Sequence, residues 1–146
     1  MYNKLLVAVD FSDVSSLVVE HAKGLALALG AQVRLLHIEP NADLLARAIP
    51  DKEEREKISE QPGGEEYQLK SLERILLDAG VDADHKHADG DPCKKILEEA
   101  EAYDANAILI GSHGHGKIYH FLGGGGHRDT IIEKSSVPVL VVKKGA

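Results

Sequence analysis

The stretch NAILIGSHGHGKIYHFLGGGG, residues 106–126, decides how this chain folds. Its aliphatic run at 107–110 is typical of a parallel strand that is buried on both faces. Seven of the sixteen residues at 111–126 are glycine, and HRDTIIEK at 127–134 then predicts a helix. A glycine-rich loop between a strand and a helix N-terminus is typical of phosphate sites, because free backbone N–H groups and the helix dipole face the anion. The stretch therefore predicts a phosphate cradle rather than a merely flexible loop.

The first half of this loop, GSHGHGK at 111–117, matches most of the P-loop pattern G-x4-G-K-[ST]. Ile118 stands where that pattern needs a Ser or Thr to hold magnesium. A P-loop also normally belongs to the first strand–helix unit of a chain, whereas this loop follows the fourth predicted strand. The P-loop is therefore the weaker interpretation.

A second pattern covers the loop better. Gly111, Gly114 and Gly124 have the spacing G-x2-G-x9-G, which resembles the ATP signature of the universal stress protein family. The resemblance extends over nearly the whole chain, through LLVAVDFS at 5–12, LLHI at 35–38, GDP at 90–92 and VPVLVV at 137–142. The signature ends in Ser or Thr, but this chain has Gly125 there, or Gly126 when the count starts from the closing strand. A hydroxyl donor to phosphate is missing in either alignment.

The resemblance implies a stress-response sensor or regulator that binds ATP or AMP, with or without Mg²⁺, and turns it over slowly or not at all. It also implies the fold of the adenine nucleotide alpha hydrolase-like proteins. The residues that match the family's nucleotide pocket are Val9, Asp10, Ile38, Gly111, Ser112, His113, Gly114, Gly124, Gly125 and Gly126.

The order of predicted elements is βαβαβαβαβ, which predicts an open five-stranded parallel sheet with helices on both faces, a Rossmann-like architecture. The predicted strands are 4–9, 31–38, 81–88, 107–110 and 137–142. Between them, helical spacing of apolar residues predicts helices that end at Gly30, at Gly80 and after Tyr103. The segment 39–66 has nine acidic and four basic residues, and we expect an irregular, solvated excursion there. Its Leu44, Leu45, Ala48 and Ile49 could cover one edge of a site.

Length and composition narrow the function further. A chain of 146 residues predicts a single domain, 1–146. The net charge of −7, with no dense basic run, argues against a nucleic-acid partner. Cys93 is the single cysteine, and no leader or membrane-length apolar run is apparent, so we expect a cytoplasmic protein without a membrane partner.

Few side chains suggest catalysis. Asp10 at a strand's carboxyl end could contact ribose or a water-bridged cation, or it could simply cap the next helix. The pairs His85-x-His87 and His113-x-His115 lack a carboxylate or cysteine at zinc spacing, so the sequence predicts no metal site. No catalytic residue is predicted, and the protein is expected not to be an enzyme. A slow ATP-hydrolysing or phosphotransfer enzyme and a dimeric module that has lost its nucleotide remain alternatives.

The closing strand, from Val137 to Val142, is aliphatic on both faces and nearly terminal, which predicts a sheet edge. Pairing of this edge with its copy in a second subunit would bury it, and the family resemblance implies the same homodimer. The alternative is a strand that helices of its own chain cover.

Overall fold

The structure, a computed structural model, describes residues 1–39, 41–112 and 131–144. Strands and helices alternate along most of the described chain, as predicted. The strands are β1 (Lys4–Val9), β2 (Gln32–Glu39), β3 (Ala83–Asp89), β4 (Ala107–Ser112) and β5 (Val139–Lys143). The helices are α1 (Asp13–Leu29), α2 (Ala42–Ala48), α3 (Lys52–Glu60), α4 (Glu65–Asp78), α5 (Pro92–Ala102) and α6 (Ile131–Lys134).

Within the described ranges the strands form one five-stranded sheet in the order β3-β2-β1-β4-β5, and all neighbouring pairs are parallel. The chain moves outward from β1 through β2 to β3 and then crosses back to place β4 on the other side of β1. The strand order therefore reverses between β1 and β4, and the crevice at their carboxyl ends is where open α/β sheets bind ligands. The predicted open parallel sheet is confirmed.

Each face of the sheet carries an apolar layer, because successive side chains of a strand point to opposite faces. On one face, Leu5, Val7 and Val9 of β1 pack with side chains of α1 and α4. On the other face, Leu6 and Ala8 pack with side chains of α5 and α6. The unbroken aliphatic sequence of β1 thus reflects burial on both sides, and helices cover both faces as predicted.

The expectation of an irregular segment at 39–66 is wrong, since α2 and α3 lie there. Neither helix has a buried residue, which is why the segment shows no strong apolar periodicity. Helix α3 has a side-chain N-cap: Oδ1 of Asp51 accepts a hydrogen bond from the Glu53 backbone N–H at 3.0 Å. The prediction that this segment is exposed is correct for most of its residues.

Strand β4 extends through Gly111 to Ser112, two residues beyond the predicted end at 110. A Cβ added at Gly111 would lie 2.6 Å from Cγ1 of Val14 and 3.0 Å from Cγ2 of Val18, both on α1. Gly111 therefore allows α1 to pack directly against β4. The described part of the helix predicted at 127–134 is α6; residues 113–130 lie outside the described ranges.

We predict that Gly111→Ala lowers the free energy of unfolding by about 1–3 kcal/mol, because the added methyl group overpacks the α1–β4 contact. Gly24→Ala is the control: Gly24 lies within α1, and nothing is within 4 Å of its added Cβ. That change should raise the free energy of unfolding by about 0.5–1 kcal/mol, since glycine is a poor helix former. Urea denaturation measures both values, and a Gly111→Ala protein as stable as the parent would contradict the packing role.

Candidate functional site

The carboxyl ends of β1 and β4 lie side by side at the crevice. The two strands pair in parallel with Val7 opposite Leu109, so Val9 and Asp10 end one strand near Gly111 and Ser112 of the other. The structure therefore brings together four of the residues that the sequence assigns to a nucleotide pocket.

Asp10 organises the turn from β1 into α1. Its Oδ1 accepts hydrogen bonds from the Ser12 backbone N–H at 3.0 Å and from Ser15 Oγ at 3.1 Å. The Asp10 backbone N–H in turn donates to Ser15 Oγ at 3.2 Å. The helix-cap interpretation of Asp10 is therefore correct for Oδ1, and contact of Asp10 with ribose or a water-bridged cation stays a prediction.

The next residue, Phe11, has a backbone φ of 62°, which is unusual for a bulky residue. Its ring stacks on the imidazole of His37 with 4.3 Å between ring centroids and 25° between planes. Strained backbone of this kind persists where surrounding contacts enforce it, and such positions cluster at functional sites. The strain therefore marks the carboxyl end of β1 independently of any motif.

Ser112 ends β4 with only 1% of its surface exposed. Its main-chain oxygen accepts a hydrogen bond from the Lys144 backbone N–H at 3.0 Å. Within the described residues its Oγ is buried without a hydrogen-bond partner. Leaving a buried hydroxyl unpaired costs about 1–3 kcal/mol, so this oxygen marks a place where a polar partner is expected.

Ile38 lies near the end of β2, 8% exposed, within the apolar layer that also contains Ala8 and Ile110. It therefore contributes to the core, as its aliphatic side chain predicts, beside the crevice. The other predicted pocket residues, His113, Gly114, Gly124, Gly125 and Gly126, lie outside the described ranges.

A cluster of histidines and glutamates next to the crevice was not predicted. We call it the His–Glu cluster; its members are His37 on β2, His85 and His87 on β3, and Glu65, Glu66 and Glu73 on α4. Glu66 accepts from His85 Nε2 at 2.8 Å and pairs with His87 Nε2 at 2.7 Å, and Glu73 contacts His85 Nδ1.

The H-x-H pattern at 85–87 was the one sequence signal for this cluster. As the pattern requires, the segment is an extended strand, and both rings lie on one face of it. The carboxylates come from α4, which is too far away in sequence for any ligand spacing to reveal. The helix and the strand meet only in the folded sheet.

Burial and neighbouring charges set the protonation states in this cluster. Burial lowers the pKa of His37 to about 4, and the nearby His87 adds to the effect. Burial also raises the pKa of Glu65 to about 7, together with a hydrogen bond to Glu39 and the charge of Asp89. Burial opposes the ionised form of Glu66, but hydrogen bonds from His85 and His87 lower its pKa. At neutral pH His37 is therefore a neutral imidazole.

A cavity of about 570 Å³ opens beside the ends of β2 and β3. Its lining includes Glu39 at the end of β2, Asp89 at the end of β3, Glu65 of α4, and Leu45 and Ile49. Of the four residues expected at the edge of a site, Leu44, Leu45, Ala48 and Ile49, the lining of this cavity includes Leu45 and Ile49. Among the described helices, none is long and apolar enough to cross a membrane.

The model of the universal stress protein family matches residues 1–143, and the chain belongs to that family. Universal stress protein YxiE of Bacillus subtilis is 30% identical over 156 residues, covering 98% of this chain and 100% of the relative. Universal stress protein MJ0577 of Methanocaldococcus jannaschii is 26% identical over 160 residues, covering 99% of this chain and 96% of the relative. The resemblance seen in the sequence is confirmed.

Solved structures agree with this assignment. The structure of MJ0577 superposes with a TM-score of 0.76 at 25% identity, covering 100% of this chain and 99% of that one. A universal stress protein from Archaeoglobus fulgidus in complex with dAMP gives a TM-score of 0.69 at 23% identity, covering 97% and 98%. A universal stress protein in complex with cAMP gives 0.67 at 22% identity, covering 97% of each chain. The last two show that the fold is shared.

Proposed function

We propose that this protein binds an adenine nucleotide, ATP or AMP, in the crevice between β1 and β4, and that nucleotide occupancy regulates a stress response. The observation that carries the proposal is the strand-order reversal at β1 and β4, which places Asp10 and Ser112 at adjacent strand ends, where Ser112 Oγ has no hydrogen-bond partner among the described residues. Two proteins of the same fold, described above with cAMP and dAMP, support the choice of an adenine nucleotide.

Each pocket residue has a role that its chemistry suits. Oδ2 of Asp10 accepts from ribose hydroxyls or from a water bound to Mg²⁺, while Val9 and Ile38 flank the base through backbone groups. Gly111, Ser112, His113 and Gly114 lead from the strand into the phosphate loop. Gly124, Gly125 and Gly126 offer backbone N–H groups to the phosphates. Because Gly125 lacks a hydroxyl, phosphate binding relies on the backbone.

We predict that Asp10→Asn weakens AMP binding by about 10- to 100-fold, since a hydrogen bond to a charged group contributes about 1.5–3 kcal/mol. Isothermal titration calorimetry with ATP, AMP and NAD measures the affinities. Ser15→Ala is the matched control: it removes the Oγ partner of Asp10 Oδ1 but keeps the carboxylate. It should change the affinity less than about threefold.

Absence of heat with all three nucleotides at millimolar concentration would reject the proposed site. Equal losses for Asp10→Asn and Ser15→Ala would instead show that Asp10 acts only through the helix cap.

The regulatory role is proposed as binding without rapid turnover. Phosphoryl transfer needs a positioned base and several groups that neutralise charge. Among the described residues at the carboxyl ends of β1 and β4, Asp10 holds the start of α1, and Lys144 is paired with Asp13. Mass spectrometry of ATP after long incubation with the protein and Mg²⁺ should return unchanged ATP. Conversion to ADP or AMP in proportion to protein concentration would favour the enzyme alternative.

We also propose that the protein is a homodimer through its closing strand, Val137 to Val142. Within the described ranges β5 is an edge of the sheet and pairs with β4 alone. Leu140 of β5 is 41% exposed, and an aliphatic edge of this kind is a surface that natural proteins cover or pair. A second copy of β5 would satisfy it with a two-fold symmetric contact.

Val141→Glu should weaken this dimer, because it places a charge within the interface. Val141 also packs against the apolar layer of its own chain, so Leu140→Glu is a companion that tests the same edge from an exposed position. Leu29→Glu, at the exposed end of α1, is the control and should leave the dimer intact. Multi-angle light scattering that gives 15.8 kDa for the parent protein at micromolar concentration would reject the dimer.

A further inference from the structure

We propose that His37, His87 and Glu65 form a binding site for a divalent transition metal ion of the Zn²⁺ type. One ligand atom from each residue lies within 4.8 Å of the others. The site lies within the His–Glu cluster and does not depend on the proposed nucleotide site.

The sheet itself brings the two imidazoles together. His37 on β2 and His87 on β3 are direct partners in the parallel register, so their side chains project from the same face. The rings meet edge to face, with 5.7 Å between their centroids. Glu65, the first residue of α4, reaches the pair from the overlying helix layer, with 3.8 Å between its Oε2 and His37 Nδ1.

The Nδ1 atom of His37 is the observation that points to a ligand. The His37 side chain is only 9% exposed, and within the described part of the chain its Nδ1 has no hydrogen-bond partner. A buried polar atom without a partner is unfavourable, and native structures rarely leave one unsatisfied. A metal ion between His37, His87 and Glu65 would satisfy it.

The surroundings suit a cation. Glu66 holds the His87 ring through Nε2 at 2.7 Å, as carboxylates commonly hold the imidazoles that bind metals. Glu39 and Asp89 line the same cavity as Glu65, so further carboxylates lie near the three ligands. Glu65 also lines the cavity beside β2 and β3, which gives an ion and its remaining water ligands a route from solvent.

The ligand set indicates which ion binds. Two imidazoles and one carboxylate are the protein ligands of open zinc sites, in which a water takes the fourth tetrahedral position. Ca²⁺ and Mg²⁺ prefer oxygen ligands. Zinc–ligand bonds of about 2.0–2.2 Å place tetrahedral ligand atoms about 3.4 Å apart, so the three side chains need to converge slightly on the ion.

The test uses the full chain without nucleotide, after dialysis against a chelator. Equilibrium dialysis with Zn²⁺, read by mass spectrometry of the metal, measures stoichiometry and affinity. Co²⁺ in place of zinc reports geometry through its visible absorption, which is intense for a tetrahedral site. His87→Gln and Glu65→Gln should each weaken the tightest zinc equivalent by about tenfold or more, with loss of the tetrahedral Co²⁺ bands.

His21→Gln is the matched control, because His21 is an exposed histidine on α1, away from the cluster. It should leave affinity and spectrum unchanged, and circular dichroism should show all three variants folded. Zinc binding that is the same in the parent, His87→Gln and Glu65→Gln would overturn the proposal and place the ion on other histidines. Failure to bind nucleotide would leave this result unaffected, since no nucleotide is present.

Discussion

The pairing of β1 with a parallel neighbour on each side is the constraint on which the rest of the structure depends. Strand β1 is hydrogen-bonded to β2 and β4, and its side chains enter both apolar layers. A strand in this position is aliphatic along nearly its whole length, and its parallel neighbours are reached through crossover helices. The reversal of strand order at β1 follows directly, and so does the crevice at the carboxyl ends.

Close packing of α1 on this centre has consequences for the crevice. The helix starts immediately after β1, so Asp10 and Ser15 must close a tight turn and Phe11 must adopt a positive φ. Where α1 crosses β4, any side chain at position 111 would displace Val14 and Val18. The backbone strain at Phe11, the helix cap at Asp10 and the close packing at Gly111 therefore all lie at the same edge of the sheet.

The His–Glu cluster shows how a second chemical environment arises one strand away. The register of β2 and β3 pairs His37 with His87, and α4 covers that face with carboxylates at its first turns. Phe11, directly after β1, stacks on His37, and His37 in turn contacts the ring of His87. Aromatic side chains therefore connect the crevice with the His–Glu cluster.

The sequence alone determined the sheet class, the positions of nearly all strands, the edge position of β5 and the family. Aliphatic runs, helix-ending glycines and a glycine spacing are local properties that a linear chain displays. The sequence did not reveal α2 and α3, because a helix without buried residues shows no apolar periodicity. The sequence placed Gly111 at the start of a glycine-rich loop. In the structure Gly111 lies within β4, where the close packing of α1 leaves little room for a side chain.

Only the tertiary structure decided which polar groups meet. His85 and His87 were visible as a pair, but their carboxylate partners lie on a helix earlier in the chain, and His37 lies on a different strand. Strand register and helix placement set those distances, and both result from the whole core rather than from any segment. Chemistry that depends on contacts between distant segments is therefore settled by packing, whereas fold class is already visible in the order of apolar runs.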